Sequence, residues 1–530
     1  MSCKRTVIAQ MTSEREDLIG FTASELAEKN KPRAAADTVE RRYKTGVNRQ
    51  QAQLVGYELE DFLDNDNPVR AINAFVDSLN LKQLGFTNTL AHSGSGQPAY
   101  SPNTMLKLFL YGYRNGICST RKLARECKRN VEVMWLLDKL SPEYRTIGAF
   151  RACNAKAIRE VHKQFIGLCN YMGLLSEDRV SVDGSHFKGN VSSKSFRTTK
   201  GLNKRNAKIE QEIDEWNKQI EQTDAREDKE ETAAEVEAAM SEVVRQIQKL
   251  ETEKEQNDFL LKLLEETGLT HISRTDTEAQ RLSKRGNSCQ GYNVQIVTES
   301  QNRLIVSDDV TNRSNDREEL FNMASLAKEA LGADKLDVLG DQGYSSARQF
   351  KQCYDNDITP YVPIMTPRSL VQAEHRYKVS QFTYDKELNA YICPMGEQLR
   401  ASGKPKEDGT QRYRSRKASC EKCCKRQVCL TEKGTCRDIH RSGHEELMTA
   451  HRKHMEKHPE VMRERASMVE HPFGTIKVRA GWPHFLVRGL EKVTGEWSLM
   501  ALSYNLTRVL NILGMDKFME CCRESQAQGC

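Results

Sequence analysis

The spacing of apolar positions changes several times along the chain, and each change marks a new kind of element. From about Leu54 to Leu175 apolar residues recur at helical spacing. In "SPNTMLKLFLYGYRNG", Ser101 reads as an N-cap and Pro102 as the first helical residue. Leu106, Phe109 and Tyr113 then share a face, and Gly116 is a stop signal. "STRKLARECKRN" and "TIGAFRACNAKAIREVHKQFIGLCNYMGLL" predict further helices. Residues 51–176 are thus expected to form a helical domain, either a plain bundle or one with a DNA-reading helix-turn-helix. Residues 1–50, polar and rich in Lys, Arg and Glu, read as a tail.

Between residues 203 and 265 the spacing tightens to that of coiled-coil seams. Ile209, Ile213, Trp216 and Ile220 form one; Val236, Met240, Val243, Ile247 and Leu250 form another after an acidic break. An antiparallel helical hairpin is expected. On either side of it the pattern is that of strands: "RVSVDGSHF" before, "GYNVQIVTE" and "NRLIVSDDVTN" after, the last two joined by a turn at Ser300-Gln301-Asn302. A helix closed by Gly332, the run "KLDVLGDQGYS", another helix and "ITPYVPI" follow. Three meandering strands followed by alternating helices and strands predict an α/β sheet of mixed direction, read as a ribonuclease-H-like core. Its expected parts are residues 177–202, 266–366 and 445–515. Residues 385–440 are a Cys-rich insertion, and 516–530 read as a second tail.

Composition changes this picture little. The 530 residues carry 80 Lys+Arg against 74 Asp+Glu, a formal charge of +6 that permits an anionic partner without requiring one. The N-terminus lacks a signal-peptide apolar region, and no run is long enough to span a membrane. A cytoplasmic protein is expected, with its 16 Cys as thiols or metal ligands.

Two β-runs lead into carboxylates: Val182-Asp183-Gly184, and Leu339-Gly340-Asp341-Gln342-Gly343. In open α/β sheets ligands bind beyond the carboxyl ends of strands. A single Asp there is commonly a turn residue, and Gly184 would give that turn room. Two at matching points suggest a divalent cation, since close carboxylates repel unless a cation lies between them. All-oxygen sites favour Mg²⁺ or Mn²⁺. A two-metal centre needs a further acid. Glu470, in "VMRERASMVEHPFGTIKVRAGW", is the candidate, flanked by Arg463, Arg465, Lys477 and Arg479, which could pair with DNA phosphates. Taken alone, Glu470 would read as an exposed acid on a helix ending before Pro472.

Together, "VSVDGSHFKGN", "GYNVQIV", "LGDQGYSS" and "VEHPFGTIK" resemble the DDE transposases of bacterial insertion sequences. The resemblance extends from about Leu54 to Leu513 and includes "YSPNTMLKLFLYGYRNG" and "STRKLARECKRNVEVMWL". It implies a ribonuclease-H-like core whose Asp183, Asp341 and Glu470 bind two Mg²⁺. It also implies cutting of element ends, joining to target DNA, and a homodimer that pairs two ends in a synaptic complex. Lys477, seven residues after the glutamate, matches a family lysine expected to touch DNA phosphate. The family's tyrosine and arginine, seven and four residues before the glutamate, are replaced by Arg463 and Ala466, with Arg465 alongside.

The Cys-rich segment supplies Cys393, Cys420, Cys423, Cys424, Cys429 and Cys436. Cys420 and Cys423 form a C-x2-C knuckle suited to Zn²⁺. Cys393 and Cys429 would complete a structural Cys₄ site in a small zinc ribbon, an arrangement resembling the family's, with Cys424 or Cys436 as substitutes for Cys429. His451, His454 and His458 share one helical face, expected to be solvated or to meet phosphate or metal.

Overall fold

The computed structural model describes residues 58–528 apart from 88–97, 225–232, 285–286, 366–376, 407–408, 433, 480 and 482–483. The N-terminal tail expected at 1–50 lies outside the described residues.

Six helices open the described chain: α1 (Val69–Ser78), α2 (Pro102–Arg114), α3 (Thr120–Arg129), α4 (Val131–Leu136), α5 (Tyr144–Cys153) and α6 (Ala155–Tyr171). The hydroxyl of Ser101 accepts from the Asn103 amide at 3.2 Å and so caps α2. Met105 to Tyr113 are all buried, which makes α2 the central helix of the group.

The sheet that follows contains β1 (Arg179–Lys188), β4 (Gln280–Lys284), β5 (Asn287–Glu299), β6 (Ile305–Thr311), β7 (Leu336–Leu339) and β8 (Ile358–Tyr361). The order is β4-β5-β1-β7-β8, with β6 also paired to β5. β1 is antiparallel to β5 and parallel to β7, and β7 is parallel to β8. α9 (Leu320–Leu331) and α10 (Ala347–Asp355) make the crossovers. The β5–β6 turn is built by Glu299, whose buried carboxylate accepts from the amides of Gln301, Asn302 and Leu304 at 2.7–2.8 Å.

Two long helices stand where the hairpin is expected. α7 (Thr199–Asp224) and α8 (Ala233–Thr267) leave the sheet through a two-residue ladder in which β2 (Phe196–Arg197) pairs with β3 (Ile272–Ser273). Near this base, Arg205 bridges Glu212 on its own helix and Glu253 on the other, at 3.0 and 2.9 Å. The Cys-rich region is a five-stranded antiparallel sheet, β9 (Thr383–Asp385), β10 (Ala390–Ile392), β11 (Gln398–Ala401), β12 (Gln411–Arg414) and β13 (Asp438–Arg441). It has its own small core of Phe382, Tyr391, Leu399, Tyr413 and Ile439. Two short helices, α11 (Lys417–Glu421) and α12 (Arg426–Cys429), lie between β12 and β13.

α13 (Glu445–Lys457), α14 (Val461–Gly474), a π-helical turn at Thr475–Arg479, α15 (Leu490–Leu513) and α16 (Met515–Gln528) complete the chain. α15 packs on α2, α6 and β6 and is buried along most of its length, with Trp497 fully enclosed. One hydrophobic core therefore runs from Leu63 to Cys522, through both the first six helices and the sheet. The expected division at residue 176 is a change of secondary structure but not a gap in packing. Residues 516–530, expected as a tail, are mostly helical. Phe518 and Cys522, one helical turn apart, are buried, and α16 lies on α1. Among the described residues no helix is long and apolar enough to cross a membrane.

Candidate active site

Asp183 does not end a strand, contrary to expectation. β1 continues to Lys188 because β5 is long enough to pair with it from Val180↔Glu299 to Lys188↔Gly291. What stops is the parallel partner, which pairs only from Arg179↔Asp337 to Ser181↔Leu339. Asp183 lies two residues beyond Ser181, and Asp341 two beyond Leu339. The register thus delivers both acids together, at the carboxyl end of the parallel pair. Asp341 also caps a 3₁₀ turn, its Oδ1 accepting from the Gly343 amide at 2.7 Å.

Side chains alternate along β1, so Asp183, Ser185 and Phe187 share a face. α14 and its π-helical extension lie on that face. Met468 and Val461 pack against Leu339 and Tyr361, and Phe473 meets Phe187 with ring centroids 6.1 Å apart. The Arg465 guanidinium stands 3.2 Å from Asp183 Oδ1. Lys477 donates to Ser185 Oγ at 2.6 Å and to the His186 carbonyl at 3.1 Å, over the Phe187 ring. Neither cation projects freely into solvent, as a plain phosphate contact would; both are anchored on β1 beside the acid. Arg463 is exposed. Glu470 belongs to α14 between Arg465 and Lys477; its side chain, like that of Arg479, lies outside what the structure describes. The helix does not end before Pro472 but continues to Gly474, and the missing N–H of Pro472 precedes the wider π turn.

A third acid at this place was not anticipated. Asp316 Oδ1 accepts from the buried amides of Asn293 and Gln295, each at 2.7 Å. Gln295 in turn accepts from the hydroxyl of the fully buried Tyr344. The two glycines of the motifs show how tightly Asp316 is set. A Cβ on Gly184 would fall 2.5 Å from Asp316 Oδ1 and closer still to Gln295 Nε2. One on Gly343 would fall 2.8 Å from Asp341 Oδ1 and 3.6 Å from Asp316 Oδ2. Gly184 therefore makes room for a carboxylate beneath the strand and does not form a turn. Burial, and after it the charges of Asp316, Asp183 and Asp341, push the Tyr344 phenol well above its ordinary pKa. In "SNDREELF" Asp316 looks like one of several acids opening a helix, so the sequence carries no local signal for it. Asp316→Ala, which leaves two buried amides without an acceptor, is expected to cost about 1–3 kcal/mol in urea unfolding. An unchanged unfolding midpoint would show that water serves those amides equally well.

Carboxylate oxygens such as those of Asp183, Asp341 and Asp316 are hard donors of the kind that suits Mg²⁺ or Mn²⁺. Among the described residues, no three His, Cys, Asp or Glu side chains already form a coordination shell.

In the Cys-rich region, Cys393, Cys420, Cys423, Cys424 and Cys429 line one cavity of about 310 Å³; Cys436 does not. Burial raises the Cys429 thiol; Arg437 opposes this, and Cys420, Cys393 and Cys423 add to it. The histidine face of α13 is solvated only in part, His458 keeping a side chain that is 41% exposed. His451 is buried, with Nε2 2.8 Å from the Val362 carbonyl and Nδ1 3.0 Å from the Tyr354 hydroxyl. His454 and His458 pack on the ring of Tyr361, with centroids 4.8 and 5.9 Å away.

Two family models match the chain: a transposase domain (DUF772) over residues 57–153 and a transposase DDE domain over residues 264–506. Asp341 and Glu470 fall within the second match, and Asp183 precedes it. No curated protein matches. A solved structure that matches, the piggyBac transposase synaptic complex with hairpin DNA, is 8% identical over 87% of this chain and 80% of that one. Its TM-score of 0.30 is too low to carry any argument. The two transposase models, successive along the chain, together cover more than half of it, and the chain belongs to the DDE transposases.

Proposed function

We propose that this protein cuts DNA at the ends of a mobile element and joins the freed 3′-hydroxyls to target DNA, using Asp183, Asp341 and Glu470 on a ribonuclease-H-like core. The observation that carries the reading is the β1–β7 register, which sets Asp183 and Asp341 at equal distance beyond Ser181↔Leu339. The helix bearing Glu470 lies across that point, with Arg465 at Asp183 and Lys477 at Ser185. Asp183, Asp341 and Glu470 would hold two Mg²⁺ or Mn²⁺. When bound, such ions activate the attacking hydroxyl and stabilise the leaving oxygen at phosphorus. The chain's own part is positional. β1 fixes Asp183 in a paired strand, and the Asp341 cap fixes the loop. Arg465 and Lys477 bring positive charge to where a phosphate would lie, with the exposed Arg463 beside them and Arg479 assigned to the duplex by its place in the sequence. Two element ends call for two copies of the chain, so a homodimer on DNA is part of the proposal.

The test is a plasmid carrying the sequences that flank this reading frame, incubated with purified protein and Mg²⁺. Cleaved ends and joined products are expected, and chelation should remove both. Cleavage without joining would leave only a metal-dependent nuclease, and binding without either would leave a repressor.

The reading includes a structural Zn²⁺ on Cys393, Cys420, Cys423 and Cys429. It is supported by the one cavity that those four cysteines line and by the C-x2-C spacing. Protein purified without chelator is expected to contain one Zn²⁺ per chain, and Cys423→Ser to lose it. Metal-free protein with an intact fold would end this assignment.

A further inference from the structure

α3 presents an exposed surface of uniform charge. Leu123, Glu126 and Cys127 form its buried side. Arg121, Lys122, Arg125, Lys128 and Arg129 are all exposed, at the i, i+1, i+4, i+7, i+8 spacing of a single helical face. Glu126, the helix's one acid, is turned inward and held by Arg129 and Asn130. Among the described residues, Arg121, Lys122, Arg125 and Lys128 have no ion-pair partner, whereas Arg205 and Lys254 of the hairpin are matched to glutamates. Like charges one turn apart destabilise a helix by a few tenths of a kcal/mol per pair. The stripe therefore works against α3 itself, and a merely solvated face would be expected to intersperse acids. Next to it, Tyr144 at the start of α5 carries Arg121 and Arg145 over its ring, 5.0 and 5.8 Å from the centroid. Stacking of this kind steadies a guanidinium and leaves its N–H edge free to meet an anion.

We propose that the exposed face of α3 is a docking stripe for the phosphate backbone of duplex DNA. This rests on the DNA-cleaving reading above and assigns it a binding surface separate from the carboxylates. From Arg121 to Arg129 the stripe extends about 12 Å along the helix axis. A duplex presents one phosphate per about 1.7 Å of its own axis, so several cations can be matched at once without reading any base.

The test uses the full-length chain. Arg121→Gln, Lys122→Gln, Arg125→Gln and Lys128→Gln are combined in one variant, and binding to a random-sequence DNA duplex is titrated at several salt concentrations. Each cation withdrawn from a phosphate should flatten the slope of log affinity against log salt by about 0.9, hence by roughly 3 to 4 for the four together. A control with Lys204→Gln, Lys218→Gln, Lys249→Gln and Lys262→Gln removes equal charge from the hairpin and should keep the wild-type slope. A wild-type slope in the α3 variant, or equal flattening in both, would overturn the stripe while leaving the DNA-cleaving reading in place. Wild-type protein that binds no duplex at any salt would overturn both. If the combined variant fails to fold, Arg125→Gln and Lys128→Gln, made singly, should each flatten the slope by about 0.9; an unchanged slope in both would equally overturn the stripe.

Discussion

Asp183→Asn and Asp341→Asn are each expected to reduce metal-dependent DNA cleavage by about 10³-fold or more. Asparagine keeps the size of the side chain and removes its charge. At Asp341 it also keeps an acceptor for the Gly343 amide, so the 3₁₀ turn should survive. The two variants should therefore bind DNA and unfold much as the wild type does. Combining them should cost little more than either alone, because groups that act as a unit are strongly non-additive. The measurement is product formed per unit time in saturating Mg²⁺, with duplex binding recorded alongside. Full cleavage by either variant would remove that residue from the site.

The second large effect concerns stability. Glu496 is fully buried on α15, and both of its oxygens are engaged. Oε1 accepts from Tyr113 at 3.1 Å and from Arg151 at 3.0 Å; Oε2 accepts from the amides of Leu486 and Val487 at 2.9 and 3.1 Å. One carboxylate thus ties α2, α5 and α15 to the segment that adjoins β1, where the Phe485 amide donates to the Lys188 carbonyl at 2.8 Å. Glu496→Ala would leave a buried guanidinium without a counter-charge and two amides without acceptors. About 3–5 kcal/mol of destabilisation is expected, read as an earlier urea midpoint for the first unfolding transition. A variant that unfolds at the wild-type midpoint would show that water replaces the carboxylate at no cost.

Asp183 and Asp341 were legible because an apolar β-run that meets a carboxylate is uncommon, and two such runs narrow the choice further. The register that joins them was not legible. A strand's end depends on its partners, and β1 loses β7 after Ser181 while keeping β5 to Lys188. Arg465 was noticed as one residue away from the family's position, yet its guanidinium is the one at Asp183. Asp316 stayed hidden because its partners, Asn293 and Gln295, come from another strand. Glu496 sits in a mostly apolar helix, where an acid reads as surface until its four partners are seen. The C-terminal helix did carry a signal: Met515, Phe518 and Cys522 recur at helical spacing in "MDKFMECCRESQ".

The small ladder between β2 and β3 has a consequence for how such chains can vary. By pairing Phe196 with Ser273, it closes the hairpin at its root, so the strands on either side are spared the burden of that detour. Closure entropy grows only with the logarithm of loop length, and here the ladder has already met most of it. The hairpin can lengthen, shorten or be exchanged for a tight turn while β1 and β4 keep their places. Separation along the chain is then a poor ruler for this architecture: two residues far apart in number are neighbours in space wherever an excursion starts and ends at one doorway.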